Sequence, residues 1–287
     1  MNQAFQDTLI SPHPSQKQGD MSGNFCDGLL EKYRRDGFLI HDFGFDENLI
    51  AQCAEVTKSY LGSKLRVQDL WRRNKAVKQL ASHHAVLKLL NELYTRRTFP
   101  FQTLNFPVGT QQATHSDTYF FNSTPERYMC GVWVALEDID LENGPLHYYR
   151  GSHELPIRTR NEMKGLGYKN YVEYFQDSAK KYKKLNGIIK KGEAIIWSAH
   201  VLHGGDPIVD PSRSRLSQVT HYYFDDCMYW SPIQSDPEIG KIQLRRPYDI
   251  SEDRFIENKF NGRTVRVSMR ERLNGPYYNL KKFTPSK

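Results

Sequence analysis

Residues 192–205 read GEAIIWSAHVLHGG, a stretch whose pattern recurs through much of the chain. GEAIIW is a turn followed by a strand, and the run ends on His203, directly before Gly204 and Gly205. Similar short runs fill the chain after Pro100: FQTLNF at 101–106, HSDTYFF at 115–121, MCGVWVALED at 129–138, LHYYRGSH at 146–153 and RLSQVTHYYF at 215–224. Turn-forming residues divide them, as in FPVG, NSTPE, ENGP, KKGE and GGDP. Many short strands punctuated in this way imply a sandwich or a closed double-sheet roll.

The first third has a different texture. Phe25, Leu29, Leu30 and Tyr33 recur at helical spacing, GFLIHDF at 37–43 reads as a strand, and Asp46 can cap a second helix over 47–61. The stretch 69–96 supplies one or two more helices. Residues 1–23, polar and containing Pro12 and Pro14, are expected to form a flexible tail. The remainder, 24–287, is expected to be one domain: a helical part 24–100, a β-roll core 101–224 interrupted by an insertion at 154–186 placed as a lid would be, and a cover over 225–287.

With 287 residues, 38% of them hydrophobic and 25% charged, the chain can bury a sizeable core. The start lacks a basic segment followed by an apolar one, and no stretch approaches the ~18 apolar residues of a membrane span. A cytoplasmic protein with no membrane partner is therefore expected. Cys26, Cys53, Cys130 and Cys227 are scattered without a C-x-x-C pair, which fits reduced thiols. The net charge of +7 concentrates in KKYKKLNGIIKK at 180–191 and in the tail. No nucleic-acid-binding pattern accompanies it, so a small-molecule partner is expected instead. The sequence does not define an oligomeric state.

The chemistry-bearing residues are few. In an extended chain His115 and Asp117 project from one face, with Ser116 on the other. His203 is the candidate third donor, and Gly204 and Gly205 could let backbone pass near a bound ion. Two imidazoles and one carboxylate suit non-haem Fe(II) with three positions left open, and zinc hydrolases use a similar set. Arg215 and Ser217, two apart and so on the same face of a strand, can grip a carboxylate. Arg213 rivals Arg215, and His200 rivals His203. Trp133 and Trp197 read as core, and Asn143 and Gly144 as a structural turn.

HSD at 115–117, VWVALEDIDLENGPLHYYRGSH at 132–153, KGEAIIWSAHVLHGG at 191–205 and RLSQVTHYY at 215–223 together resemble the phytanoyl-CoA dioxygenase family of Fe(II)- and 2-oxoglutarate-dependent oxygenases. YRRDGFLIHDF at 33–43 resembles that family's opening helix and strand. The resemblance spans about residues 25–224. It implies a mainly β fold with flanking α-helices around a double-stranded β-helix, the cupin-like jelly roll. It also implies Fe(II) held by His115, Asp117 and His203, with 2-oxoglutarate and O2 as co-substrates, and the far carboxylate of 2-oxoglutarate on Arg215 and Ser217. Thr103, Asn105 and Gln112 are further candidates for orienting the co-substrate. Because Asp117 is present, where related halogenases carry a small residue, hydroxylation or a related oxidation is implied. Arg150 stands where the family usually has proline, altering a turn expected beside the cavity. The alternatives are a cupin-type metal-dependent hydrolase or isomerase, and a non-catalytic β-roll binding protein.

Overall fold

A computed structural model of the protein describes residues 24–156, 168–236, 241–265 and 277–279. The expected tail at 1–23 and part of the insertion, 157–167, lie outside the described residues, as do 237–240, 266–276 and 280–287. In chain order the main elements are α1 (Asn24–Asp36), β1 (Phe38–Asp42), α2 (Glu47–Lys58), β2 (Val67–Gln68), α3 (Lys75–Ala81), α4 (His84–Tyr94), β3 (Thr98–Phe106), β4 (Asn122–Thr124), β5 (Met129–Ala135) and β6 (Leu146–Tyr149). Then follow α5 (Tyr168–Ala179), β7 (Lys184–Asn186), β8 (Glu193–Ser198), β9 (His203–Gly205), β10 (Ser217–Phe224) and β11 (Met228–Trp230). Shorter pairings complete the region beyond β11. Among the described residues no helix is long and apolar enough to cross a membrane.

Helix starts follow their capping residues. The Asp46 carboxylate accepts the Leu49 N–H at the head of α2, and the Asn74 side chain accepts the Val77 N–H at the head of α3, each satisfying a donor the helix itself cannot. The helix expected over 47–61 ends at Lys58, and the stretch 69–96 resolves into a 3-10 turn at Leu70–Arg72 followed by α3 and α4.

The large sheet has the antiparallel order β1-β8-β5-β10-β3-β2, and the sheet opposite it the order β7-β6-β9. Every residue of β5 and of β10 is buried, because helices cover one face of the large sheet and the small sheet covers the other. Leu39, Val132, Val134, Ile196 and Tyr222 pack with helical Leu49, Val77, Leu80 and Leu90. Phe38, Phe106, Trp133, Ile195, Trp197 and Val219 pack inward with Tyr148 of the small sheet. This is the double-sheet roll expected from the punctuated strands.

Two local expectations change. HSDTYFF is not one strand: His115 joins the small sheet through a single bridge to His203, and Asp117–Tyr119 is a 3-10 turn. The Asp117 carbonyl accepts both the Phe120 and Phe121 N–H groups at 2.9 Å, so local bonding displaces the extended pairing. The described part of the insertion is no lid either. Tyr171 and Phe175 of α5 pack with Tyr119 and Leu202, and Tyr171 Oη donates to the Ser116 carbonyl, so α5 braces the HSD turn from outside the roll.

Candidate metal centre and its cavity

The two histidines meet because the backbone brings them together: His115 N–H donates to the His203 carbonyl at 2.9 Å, and His203 N–H returns the bond at 3.0 Å. Each imidazole is then locked by its own chain. His115 Nδ1–H donates to Ala113 O at 2.9 Å and His203 Nδ1–H to Val201 O at 3.0 Å. With Nδ1 committed as a donor, the Nε2 lone pair of each ring is the one presented to the cluster. His115 Nε2 lies 3.6 Å from Asp117 Oδ1, and His203 Nε2 lies 3.8 Å from Asp117 Oδ2. One donor atom from each residue falls within 4.8 Å of the others, and all three residues are buried.

Electrostatics keep His203 and Asp117 in their ligating forms. Burial, reinforced by neighbouring His115, pulls the His203 imidazole down to about 4 against the attraction of Asp117, so it is neutral at pH 7. Burial alone would raise the Asp117 carboxyl, but the His203, His115 and His221 imidazoles hold it well below the usual carboxylate range. Asp117 Oδ2 also accepts a hydrogen bond from Trp197 Nε1 at 2.9 Å.

The cluster opens into a cavity of about 680 Å³, lined by the triad and by Arg215, Gln112, Gln102, Trp133 and His221 among others. Arg215 is buried, with no hydrogen-bond partner for Nε or Nη1, and Ser217 Oγ is likewise unpartnered. Burial lowers the guanidinium of Arg215 to about 10, with Tyr148 and Glu137 opposing. A buried cation facing a cavity without a paired acid is costly unless an anion joins it. Arg213 differs: its Nη1 donates to both oxygens of Asp140, at 2.8 and 3.0 Å.

The remaining sequence candidates divide. Gln112 lies at the centre, its Nε2 3.1 Å from His115 Nε2. Thr103 and Asn105 do not reach the cavity: they alternate with inward-facing Gln102, Leu104 and Phe106, and Asn105 Nδ2 donates outward to Thr57 Oγ1 on α2 at 3.0 Å. His200 sits in a separate small recess with Tyr119 and Tyr171. Gly204 and Gly205 line the cavity beside His203 and let the chain pack closely: a Cβ on Gly204 would stand 2.8 Å from Gln112 O, and one on Gly205 3.2 Å from Gln111. Arg150 pairs with Asp36 at 2.6 Å and is not part of the cavity wall. Asn143 holds its turn through Asp138 O and Ser214 O, as its composition implies.

Three contributors escaped the sequence reading. Trp197 fixes the Asp117 carboxylate, and Gly131 opposite it makes room for the indole, since a Cβ there would lie 2.2 Å from Trp197 Cζ2. His221 Nε2 stands 3.9 Å from Asp117 Oδ2, with Nδ1 bonded to Gln102 Oε1 at 3.0 Å. Strand parity could have found both rings: Trp197 alternates on the face of Ile195, and His221 on the face of Ser217 and Val219.

Comparison with known proteins agrees with this architecture. The chain is similar to the peroxisomal phytanoyl-CoA dioxygenase of Rattus norvegicus, 29% identical over 119 residues, covering 41% of this chain and 35% of that protein. The match to the phytanoyl-CoA dioxygenase domain-containing protein 1 of Danio rerio is 28% identical over 148 residues, 51% of this chain and 50% of that protein. The chain thus spans about a third to a half of the length of these curated relatives. Among solved structures, the epimerase SnoN in complex with Fe3+, alpha ketoglutarate and nogalamycin RO superposes with a TM-score of 0.63 at 19% identity, covering 80% of this chain and 97% of SnoN. These structural likenesses establish the double-stranded β-helix fold. The phytanoyl-CoA dioxygenase (PhyH) family profile matches residues 23–215, and with most of the chain inside that match, the protein belongs to the phytanoyl-CoA dioxygenase family.

Proposed function

We propose that the protein is an Fe(II)- and 2-oxoglutarate-dependent oxygenase that oxidises a C–H bond of a small polar or anionic molecule. His115, Asp117 and His203 are the ligands in this reading, and Arg215 with Ser217 receives the far carboxylate of 2-oxoglutarate. One observation carries it: a single cavity holds both a two-imidazole, one-carboxylate cluster and a buried guanidinium with unpartnered donors. A hydrolase with the same ligands has no use for the second feature. Support also comes from the SnoN complex, which contains Fe3+ and alpha ketoglutarate, and from EctD of S. alaskensis, solved with 2-oxoglutarate and 5-hydroxyectoine.

Fe(II), when bound with 2-oxoglutarate, supplies the activation of O2, with release of succinate and CO2. The chain's own work is geometric. Ala113 and Val201 carbonyls orient the imidazoles, the Trp197 indole orients the carboxylate, and Trp133 and Phe106 flank the Arg215 guanidinium at 5.3 and 5.9 Å, excluding water where an anion would pair. Hydroxylation is the outcome we propose, with the acidic ligand Asp117 in place.

The test is succinate release from 2-oxoglutarate by Fe(II)-loaded protein with and without O2. Release that requires O2 and disappears in His115→Ala, Asp117→Ala and His203→Ala is expected. Release independent of O2, or equal in all variants, contradicts the reading.

A further inference from the structure

Apart from Arg215, two guanidiniums line the cavity, Arg66 at its mouth and Arg245 in its wall, against a single carboxylate, Asp117. In the oxygenase reading Asp117 faces the metal and Arg215 faces 2-oxoglutarate, which leaves Arg66 and Arg245 uncompensated. Neither has an acidic partner among the described residues, whereas nearby Arg97, Arg254 and Lys259 are all in ion pairs.

Arg245 is held in position rather than left loose. Its backbone N–H donates to Tyr229 O at 2.8 Å, its carbonyl accepts from Asn258 Nδ2 at 2.8 Å, and its guanidinium lies over the Phe121 ring at 4.5 Å. Stacking occupies a face of the guanidinium and leaves its N–H edge for a planar or tetrahedral anion. Phe121 also lies ring to ring with His221 at 5.2 Å, and His221 approaches Asp117. One aromatic ring therefore separates the arginine from the triad's surroundings.

A smaller cavity of about 340 Å³ shares Arg245, Gln102, Gln68 and Gln234 with the first and adds Arg72 and Arg246. These two guanidiniums also stack on aromatic rings, Trp71 at 4.7 Å and Phe255 at 4.1 Å. The one acid there, Asp69, is already engaged by the Trp71 Nε1–H and the Thr103 N–H.

We propose that the substrate carries an anionic group, a carboxylate or a phosphate, which Arg245 grips where the two cavities join, with Arg66, Arg72 and Arg246 extending the positive field around it. The inference rests on the oxygenase reading, because that reading assigns Arg215 to the co-substrate.

Benzoate, phenyl phosphate and neutral benzamide serve as probes, titrated calorimetrically and anaerobically into Fe(II)-loaded protein with saturating 2-oxoglutarate. At least one anion is expected to bind about tenfold or more tightly than benzamide, a difference near 1.4 kcal/mol, and the tighter of the two assigns the anion class. Arg245→Gln should remove that preference, and Arg245→Lys should keep part of it, since a point charge replaces the fork. If Arg245→Gln does not fold, the partial loss in Arg245→Lys decides. Benzamide binding as tightly as both anions, neither anion binding at about 10 mM, or a preference untouched in the Arg245 variants overturns the proposal. Failure of the oxygenase reading shows separately, as wild-type protein in which Fe(II) and 2-oxoglutarate develop no visible charge-transfer band before any probe is added.

Discussion

Arg215 is the residue whose environment is hardest to explain without a ligand. It is buried between Phe106 and Trp133 with two of its nitrogens unpartnered, a placement that costs stability in the empty protein. Arg215→Met, similar in length and without charge, should therefore raise the unfolding free energy of the ligand-free protein by about 1–3 kcal/mol in urea titrations while weakening 2-oxoglutarate binding. A ligand-free Arg215→Met protein less stable than wild type would show that the guanidinium is structural. Trp197→Phe removes the N–H that Asp117 Oδ2 accepts, and a loss of about 10- to 100-fold in iron affinity is expected, read by competition with a chelator. At this scale the sequence was legible where a residue's chemistry is rare in combination, as with His115, Asp117, His203 and Arg215. For Trp197 and His221 strand parity gives the inward face, but not that Asp117 stands opposite it.

Strand alternation explains most of what the elements do to the site. On β3 it turns Gln102, Leu104 and Phe106 inward and sends Asn105 to Thr57 of α2, which is why the expected roles of Thr103 and Asn105 fail. On β5 and β8 it sets Gly131 against the Trp197 indole. Gly131→Ala should therefore displace that ring, costing about 1–3 kcal/mol as overpacking does, and it should lower iron affinity in parallel with Trp197→Phe. A variant that loses stability but binds iron normally would separate the indole from metal positioning. The segment Ser198–His203 gives a complementary contrast. His203→Ala should abolish iron retention, whereas His200→Ala, in its separate recess behind the HSD turn, should keep it; the reverse result would move the third ligand by three residues. Most of the strands and the helix start at Asp46 were readable from local pattern. The 3-10 turn at Asp117–Tyr119 was not, because side-chain and carbonyl bonding within the turn overrides an apparently strand-like run.

At the scale of the whole molecule, the helical layer and the small sheet enclose the large sheet from both sides, and the elements after β10 close the cavity's outer end with Ser231, Ile233 and Arg245. The general layout was visible in the change of texture after Pro100. The insertion's place between strands suggested a lid, yet its described helix braces the outside, since only long-range packing with Tyr119 and Leu202 determines where it lies. Ligands that bind only the folded roll should stabilise it by mass action, about 2.7 kcal/mol at 100 times the dissociation constant. Thermal melting with Fe(II) and 2-oxoglutarate together should accordingly exceed melting with either alone, and identical melting points would argue against a shared site. Whether one cavity holds the metal and the co-substrate on separate parts of the chain is decided by anaerobic titration of 2-oxoglutarate into Fe(II)-loaded protein, followed by visible absorption. Wild type and Arg213→Ala should develop the same charge-transfer band at similar concentrations. Arg215→Met should require about 30-fold or more co-substrate, and His203→Ala should give no band. A band that survives unchanged in Arg215→Met, or that is absent from wild type, would show that Arg215 and the triad do not serve one co-substrate site.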